Sequence, residues 1–212
     1  MVPSGFIFDL DGTLVDSYTP ITRSLNHVLG LYGLEAIPKR RVKRMVGHGL
    51  EELIGRTIGG RNIPQGVKLF REKYREIYLA ETRLLPGVRR TLERLHRRGC
   101  LMAVATNKLG SFSEKIVEHL GINRYFEVVL GPEKVPYPKP HPAMVETILL
   151  ALGLKKEGVV FVGDMVVDIE TARRAGLKVC VVPGGSSTRR ELLAAAPDYF
   201  ARSFSEIEKI FS

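Results

Sequence analysis

Short apolar runs recur along the chain, and most are followed by a stretch with helical spacing. The first covers residues 4–8 and stops at Asp9, with Asp11 two residues later in Phe8-Asp9-Leu10-Asp11-Gly12-Thr13. A wholly apolar run of this length suits a strand buried on both faces of a parallel sheet. Later runs at Cys100–Ala105, Phe126–Leu130, Val159–Val162 and Leu177–Val182 read as further strands. Between them, Val88-Leu92-Leu95, Ile116-Val117-Leu120 and Met144-Val145-Ile148-Leu149-Leu152 follow helical spacing, as does Met165–Ala175 before Gly176. Pro86 sits near one helix start, Ser111 is positioned to cap another, and Gly99 and Gly121 end two of them. Ser186–Ala196 and Ser203–Phe211 are expected to be helical, with Tyr199-Phe200 a short edge strand. Strands alternating with helices at this spacing predict an α/β fold with a doubly wound parallel sheet.

From Asp16 to Thr82 the pattern changes. Ile21-Leu25-Val28-Leu29-Tyr32, Leu50-Leu53-Ile54 and Val67-Phe70-Tyr74-Ile77-Tyr78 all carry helical spacing, and Gly59-Gly60 separates the last two. No strand signal occurs in this stretch. The chain therefore divides into an α/β core of residues 1–15 and 83–212 and an inserted all-helical unit of residues 16–82, placed to act as a cap.

Composition narrows the function classes. The 212 residues are 44% hydrophobic and 26% charged, ordinary for a globular protein. No run reaches transmembrane length, and the N-terminus lacks the pattern of a signal peptide, so no membrane partner is expected. Cys100 and Cys180 lie inside apolar runs, where they read as buried free thiols of a cytoplasmic protein. The net charge is +9, but the basic residues are spread out and no nucleic-acid-binding spacing occurs, so nucleic acid is not expected as a partner. An anionic small substrate fits the charge as well.

Polar residues cluster just beyond the strand ends: Asp9 and Asp11, Thr106-Asn107-Lys108, Lys139, and Gly163-Asp164 with Asp168 one helical turn later. In a parallel sheet these ends share one edge, where open α/β folds bind ligands. Taken singly, each has a plainer reading. Asp164 can be an N-cap, Lys139 a solvated lysine among prolines, and Thr106-Asn107 a turn. Together they form a coherent set. Crowded carboxylates call for a cation, and an oxygen-rich site suits Mg²⁺ shared with a phosphate oxygen. Asp9 can attack phosphorus and Asp11 can move the proton. Lys139, the Thr106 hydroxyl and the backbone N–H groups of the turn at Leu10-Asp11-Gly12 can hold phosphoryl oxygens.

These four segments, in this order, resemble the motifs of the haloacid dehalogenase superfamily, and the insert resembles its C1 cap. Pro183–Glu191 and Gly47-His48-Gly49-Leu50 look most like the phosphoglycolate phosphatase branch. The resemblance implies Asp9 as nucleophile and metal ligand, and Asp11 as acid/base that also lends its backbone carbonyl to the metal. It implies Asp164 as a further ligand, Asp168 in or just behind the ligand set, and Thr106, Asn107 and Lys139 on the phosphoryl group. Met165 departs from the Ser or Thr often found there, which removes a hydroxyl close to the metal. An aspartate at position 11, in place of a small residue, suits phosphate esters and phosphomutases.

The expected activity is hydrolysis of a small anionic phosphorylated metabolite, with 2-phosphoglycolate the leading candidate by resemblance. A pyrophosphatase, a nucleotide or sugar phosphatase, a β-phosphoglucomutase-like enzyme and a non-catalytic binding relative stay open. Residues 16–82 hold 12 Lys and Arg against 7 Asp and Glu, with a cluster at Lys39-Arg40-Arg41 and Lys43-Arg44. That charge suits a substrate with a second anionic group, or simply a solvated face. His48, with Gly49 beside it, is a candidate substrate contact or a turn residue.

Overall fold

The computed structural model describes residues 3–212, and its elements follow the apolar pattern closely. Strands β1 (Gly5–Phe8), β4 (Leu101–Ala105), β5 (Val128–Leu130), β6 (Val159–Gly163), β7 (Lys178–Val181) and β8 (Tyr199–Phe200) form one sheet. Two shorter strands, β2 (Val15–Asp16) and β3 (Arg83–Leu84), pair antiparallel with each other. The order in the main sheet is β5-β4-β1-β6-β7-β8, and every pairing in it is parallel.

Alternation along the strands builds two cores. Phe6, Phe8, Met102, Val104, Val160 and Val162 point into one layer. Ile7, Ala103, Ala105, Phe161, Val179 and Val181 point into the other. Period-two geometry requires this of strands buried on both faces. Helices α5 (Val88–Arg97), α6 (Gly110–His119) and α10 (Ile207–Ile210) cover the first face through Leu92, Ile116 and Ile207. Helices α7 (Ala143–Leu152), α8 (Val166–Ala175) and α9 (Arg189–Ala194) cover the second through Ile148, Ile169 and Leu192. The face changes where the chain, having laid β4 and β5 on one side of β1, crosses back to place β6 on the other. That reversal lies between β1 and β6, and the loops leaving these two strands diverge there.

Between β2 and β3 run four helices: α1 (Tyr18–Leu31), α2 (Lys39–Met45), α3 (Leu50–Ile58) and α4 (Ile63–Glu81). Helices α1 and α3 pack on α4, and α2 packs on α1. Helix α2 carries the basic cluster and buries only Val42, so it has too little apolar periodicity to stand out in the sequence. Asp16 is also strand, hydrogen-bonded opposite Arg83 in the β2–β3 pair. The expected all-helical stretch of 16–82 therefore opens on a two-residue ribbon, which is too short to show a period.

Several ends differ from the periodic reading. Ser111 does not cap α6, which begins at Gly110, whose N–H donates to Glu133 Oε1 at 2.8 Å. Helix α9 starts three residues later than expected, because Thr188 caps it reciprocally with Glu191. Among the described residues, no helix is long and apolar enough to cross a membrane. Cys100 and Cys180 are free and buried.

Candidate active site

The strand order sets which side chains meet. Asp9 leaves β1 and Asp164 leaves β6, on either side of the reversal, and Thr106 leaves β4 on the flank of β1. Carboxylate oxygens of Asp9, Asp164 and Asp168 lie within 4.8 Å of one another, and all three residues are buried.

Lys139 binds this group together. Its ammonium donates to Asp9 Oδ1 and to Asp168 Oδ1, both at 2.8 Å. Burial would lower a lysine's affinity for its proton, but Asp168 and Asp9 more than offset it, and Lys139 titrates above the usual lysine value. Asp9 moves the other way. Burial raises its carboxyl, and Asp168 and Asp11 raise it further; Lys139 opposes them, and the balance stands at about 6. Asp164 is raised well above the ordinary carboxylate range by burial, then by Asp9 and Asp168.

The side chain of Asp164 is positioned by donors from two distant segments. Thr13 Oγ1 donates to Oδ1 at 2.8 Å, and the Ser186 N–H donates to Oδ2 at 2.7 Å. Two glycines permit this crowding. A Cβ at Gly12 would run into Tyr18 Oη and Asp164, and its φ of +88° suits only glycine; a Cβ at Gly185 would overlap the Asp164 carboxylate.

Asp168 has both oxygens engaged. Oδ1 takes Lys139, and Oδ2 accepts from the N–H groups of Asp164 and Met165 at 3.1 Å. It thus caps its own helix and shapes the turn that presents Asp164.

Asp11 accepts from the buried Ser17 hydroxyl on one oxygen and from Lys108 Nζ on the other, at 2.7 Å. The sequence places Lys108 beyond a strand end without a role, and does not single out Ser17. Both signals were weak: a lone lysine and a lone serine carry no periodicity. Lys108 is held above its usual value by Asp11 and Tyr74 despite burial, and lies 5.0 Å over the Tyr74 ring.

Thr106 is buried, and its hydroxyl accepts from the Lys108 N–H at 3.2 Å. Asn107 works as a fastener. Its amide nitrogen donates to the Lys139 and Gly47 carbonyls and its oxygen accepts from the Lys139 N–H, all at 2.9 Å. The side chain expected on a phosphoryl group is thus occupied in aiming Lys139 and tying the loop after α2 to the core.

A crevice of about 340 Å³ opens over Asp9, Asp11, Thr106 and Lys139. Gly47 and Gly49 line it, but His48 between them is exposed and lies outside the lining. The two glycines bring backbone to the crevice, and of the two readings of His48 its exposure and its place outside the lining accord with the turn residue. Met165 packs against Gly47 so closely that a Cβ there would collide with its thioether. The position that lacks a hydroxyl is thus a contact between α2's loop and the core. Two residues of the basic cluster also join the two parts, Arg44 pairing with Glu191 at 2.7 Å and Lys43 donating to the Gly184 carbonyl, while Lys39 lies 3.5 Å from Asp16 within the insert. None of the five cluster residues lines the crevice.

Comparison with known proteins finds relatives over most of the chain. The family described as haloacid dehalogenase-like hydrolase matches residues 6–182. A phosphoglycolate phosphatase of Aquifex aeolicus is 33% identical over 204 residues, covering 96% of this chain and 94% of its own length. The crystal structure of a predicted phosphoglycolate phosphatase from Haemophilus somnus superposes with a TM-score of 0.89 at 30% identity, covering 99% of this chain and 98% of that one. CbbY from Rhodobacter sphaeroides, solved in complex with phosphate, superposes with a TM-score of 0.83 at 25% identity over 98% and 96% of the two chains.

Proposed function

The chain belongs to the haloacid dehalogenase-like hydrolases, and from that footing we propose that it is a Mg²⁺-dependent phosphatase working through an aspartyl-phosphate on Asp9. The observation that carries the reading is the Lys139 ammonium, 2.8 Å from Asp9 at the floor of the crevice, with Asp11 beside it. A carboxylate at a strand end, held by one buried cation and open to a cavity, is placed to meet phosphorus.

Asp9 attacks the phosphoryl group, forming the P–O bond as the ester oxygen leaves. Asp11 hands the leaving oxygen a proton and then takes one from the water that breaks the aspartyl-phosphate. Lys108 and Ser17 hold the Asp11 carboxyl in place for both transfers. Lys139 and the Thr106 hydroxyl bind phosphoryl oxygens, together with backbone N–H groups at Asp11 and Gly12. Asn107 aims Lys139.

The donor set fits a divalent cation: it is all oxygen and buried, and Asp9 and Asp164 are raised by burial and by neighbouring carboxylates. Asp9 and Asp164, with the Asp11 carbonyl, would hold it, and the cation would offset the charge of carboxylates and phosphoryl group. Asp168, with both oxygens engaged, orients these ligands and Lys139. Residues 16–82 serve as the cap, closing the crevice and excluding water. 2-Phosphoglycolate leads as substrate on the activity named for the relatives. The site is expected to work in the cytoplasm.

A phosphate-release screen over many phosphorylated compounds, with and without Mg²⁺, tests the proposal. Wild type should release phosphate only with the metal, and Asp9→Asn should stay folded and lose turnover. Turnover retained in Asp9→Asn would overturn the covalent route, and no release from any compound would overturn the phosphatase reading.

A further inference from the structure

Above the carboxylates the crevice is walled mainly by apolar side chains such as Ile21, Leu53 and Phe70. Two hydrogen-bond donors interrupt that wall. Tyr74 is 2% exposed, and its hydroxyl oxygen faces the Lys108 ammonium, which can only donate, so its O–H has no acceptor among the described residues. Arg71 Nε is also buried without a partner, although Nη2 of the same guanidinium reaches Glu51 Oε1 at 3.1 Å. Six buried side-chain polar atoms lack partners among the described residues, and these two are the ones on the crevice wall. Buried polar groups are almost always paired, so two orphan donors on one cavity wall call for an acceptor. Arg71 and Tyr74 stand three residues apart on α4 and so share a face.

The crevice carries both signs of charge, Glu51 and Glu133 lining it along with Arg71, Lys108 and Lys139, and the basic side predominates next to Arg71. Arg71 also lines a neighbouring cavity of about 260 Å³ whose walls include Arg75 and Lys115 and no carboxylate. On the other side, Lys108 lies over the Tyr74 ring. Burial pushes the Tyr74 hydroxyl up to about 12, so it is a donor at neutral pH.

We propose that Arg71 and Tyr74 are specificity-determining residues that bind a carboxylate at the non-phosphoryl end of the substrate. A guanidinium N–H and a phenol O–H supply one donor to each carboxylate oxygen, whereas a second phosphoryl group would bring more oxygens than this pair can satisfy. The inference rests on the phosphatase reading and assigns the contacts that reading leaves open. Of the basic cluster of α2, Arg44 and Lys43 have partners in the core, and none of its five residues lines the crevice.

Binding is measured by calorimetry in the Asp9→Asn background, which cannot turn substrate over, using 2-phosphoglycolate and ethyl phosphate. The two ligands differ in the carboxylate. Adding Tyr74→Phe, which keeps the ring packed against Phe70, Tyr78 and Phe112, should lower the preference for 2-phosphoglycolate about tenfold. Arg71→Gln should lower it further. In the active enzyme the same substitutions should act mainly through KM. An unchanged preference in both variants overturns the proposal, as does equal weakening of both ligands. A wild-type preference for a bisphosphate that Arg71→Gln removes would overturn the carboxylate assignment. Should phosphate release fail while the binding contrast holds, the phosphatase reading falls and the donor pair stands.

Discussion

Replacing Asp9 by Asn should stabilise the metal-free protein while abolishing turnover. The Asp9 carboxyl is almost fully buried and raised from 3.8 to about 6. Each pH unit between the folded and unfolded values is worth about 1.4 kcal/mol, so keeping the group charged at pH 7 costs the fold about 3 kcal/mol. That figure already includes the attraction of Lys139, which the amide oxygen of Asn can partly replace and which Asp168 also supplies. Allowing for a weaker hydrogen bond, the variant gains ~1–3 kcal/mol. For a chain of this size each kcal/mol moves Tm by ~2–4 °C. Circular-dichroism melts in EDTA from pH 4 to 8 measure it. The folded pKa lies above the unfolded one, so wild type keeps this stability below about pH 4 and loses it as pH rises through about 6. The gap between variant and wild type should therefore open between these values and level off near pH 7. Added Mg²⁺ should raise the Tm of wild type and have a much smaller effect on the variant. A variant no more stable than wild type at pH 7, or a gap that ignores pH, would show that the Asp9 charge is not strained.

Other substitutions separate the roles of neighbouring groups. Asn107→Ala removes three hydrogen bonds that hold Lys139 and Gly47, and should cost ~2–4 kcal/mol in urea melts and lower kcat more than it raises KM. Gly185→Ala, at a position whose backbone any residue could adopt, should cost ~1–3 kcal/mol by overpacking Asp164; a neutral result would mean the carboxylate can move aside. Arg44→Ala breaks an ion pair half-open to solvent and should cost less than ~1 kcal/mol at physiological salt; a larger loss would make the contact a principal tie between α2 and the core.

Local pattern determined a great deal here. Apolar runs buried on two faces marked the strands, and each run's polar end marked where Asp9, Thr106 and Asp164 would leave the sheet. Helical spacing located most of the helices, and the break at Gly59 is a left-handed cap as its composition implies. These features depend on neighbours a few residues away, so they can be read from the chain. The partners of each side chain depend on how the elements pack. Strand order put β6 beside β1, and so brought Asp164 to Asp9 from a distant part of the chain. Packing engaged both oxygens of Asp168, made Asn107 a fastener, linked Lys108 to Asp11, and left His48 exposed outside the crevice lining. It also left the Arg71 Nε and Tyr74 O–H without an acceptor against the crevice, although in the sequence Tyr74 is one more apolar position on an amphipathic helix. Periodicity specifies which face of an element is buried, and tertiary contact decides what each buried polar atom meets there.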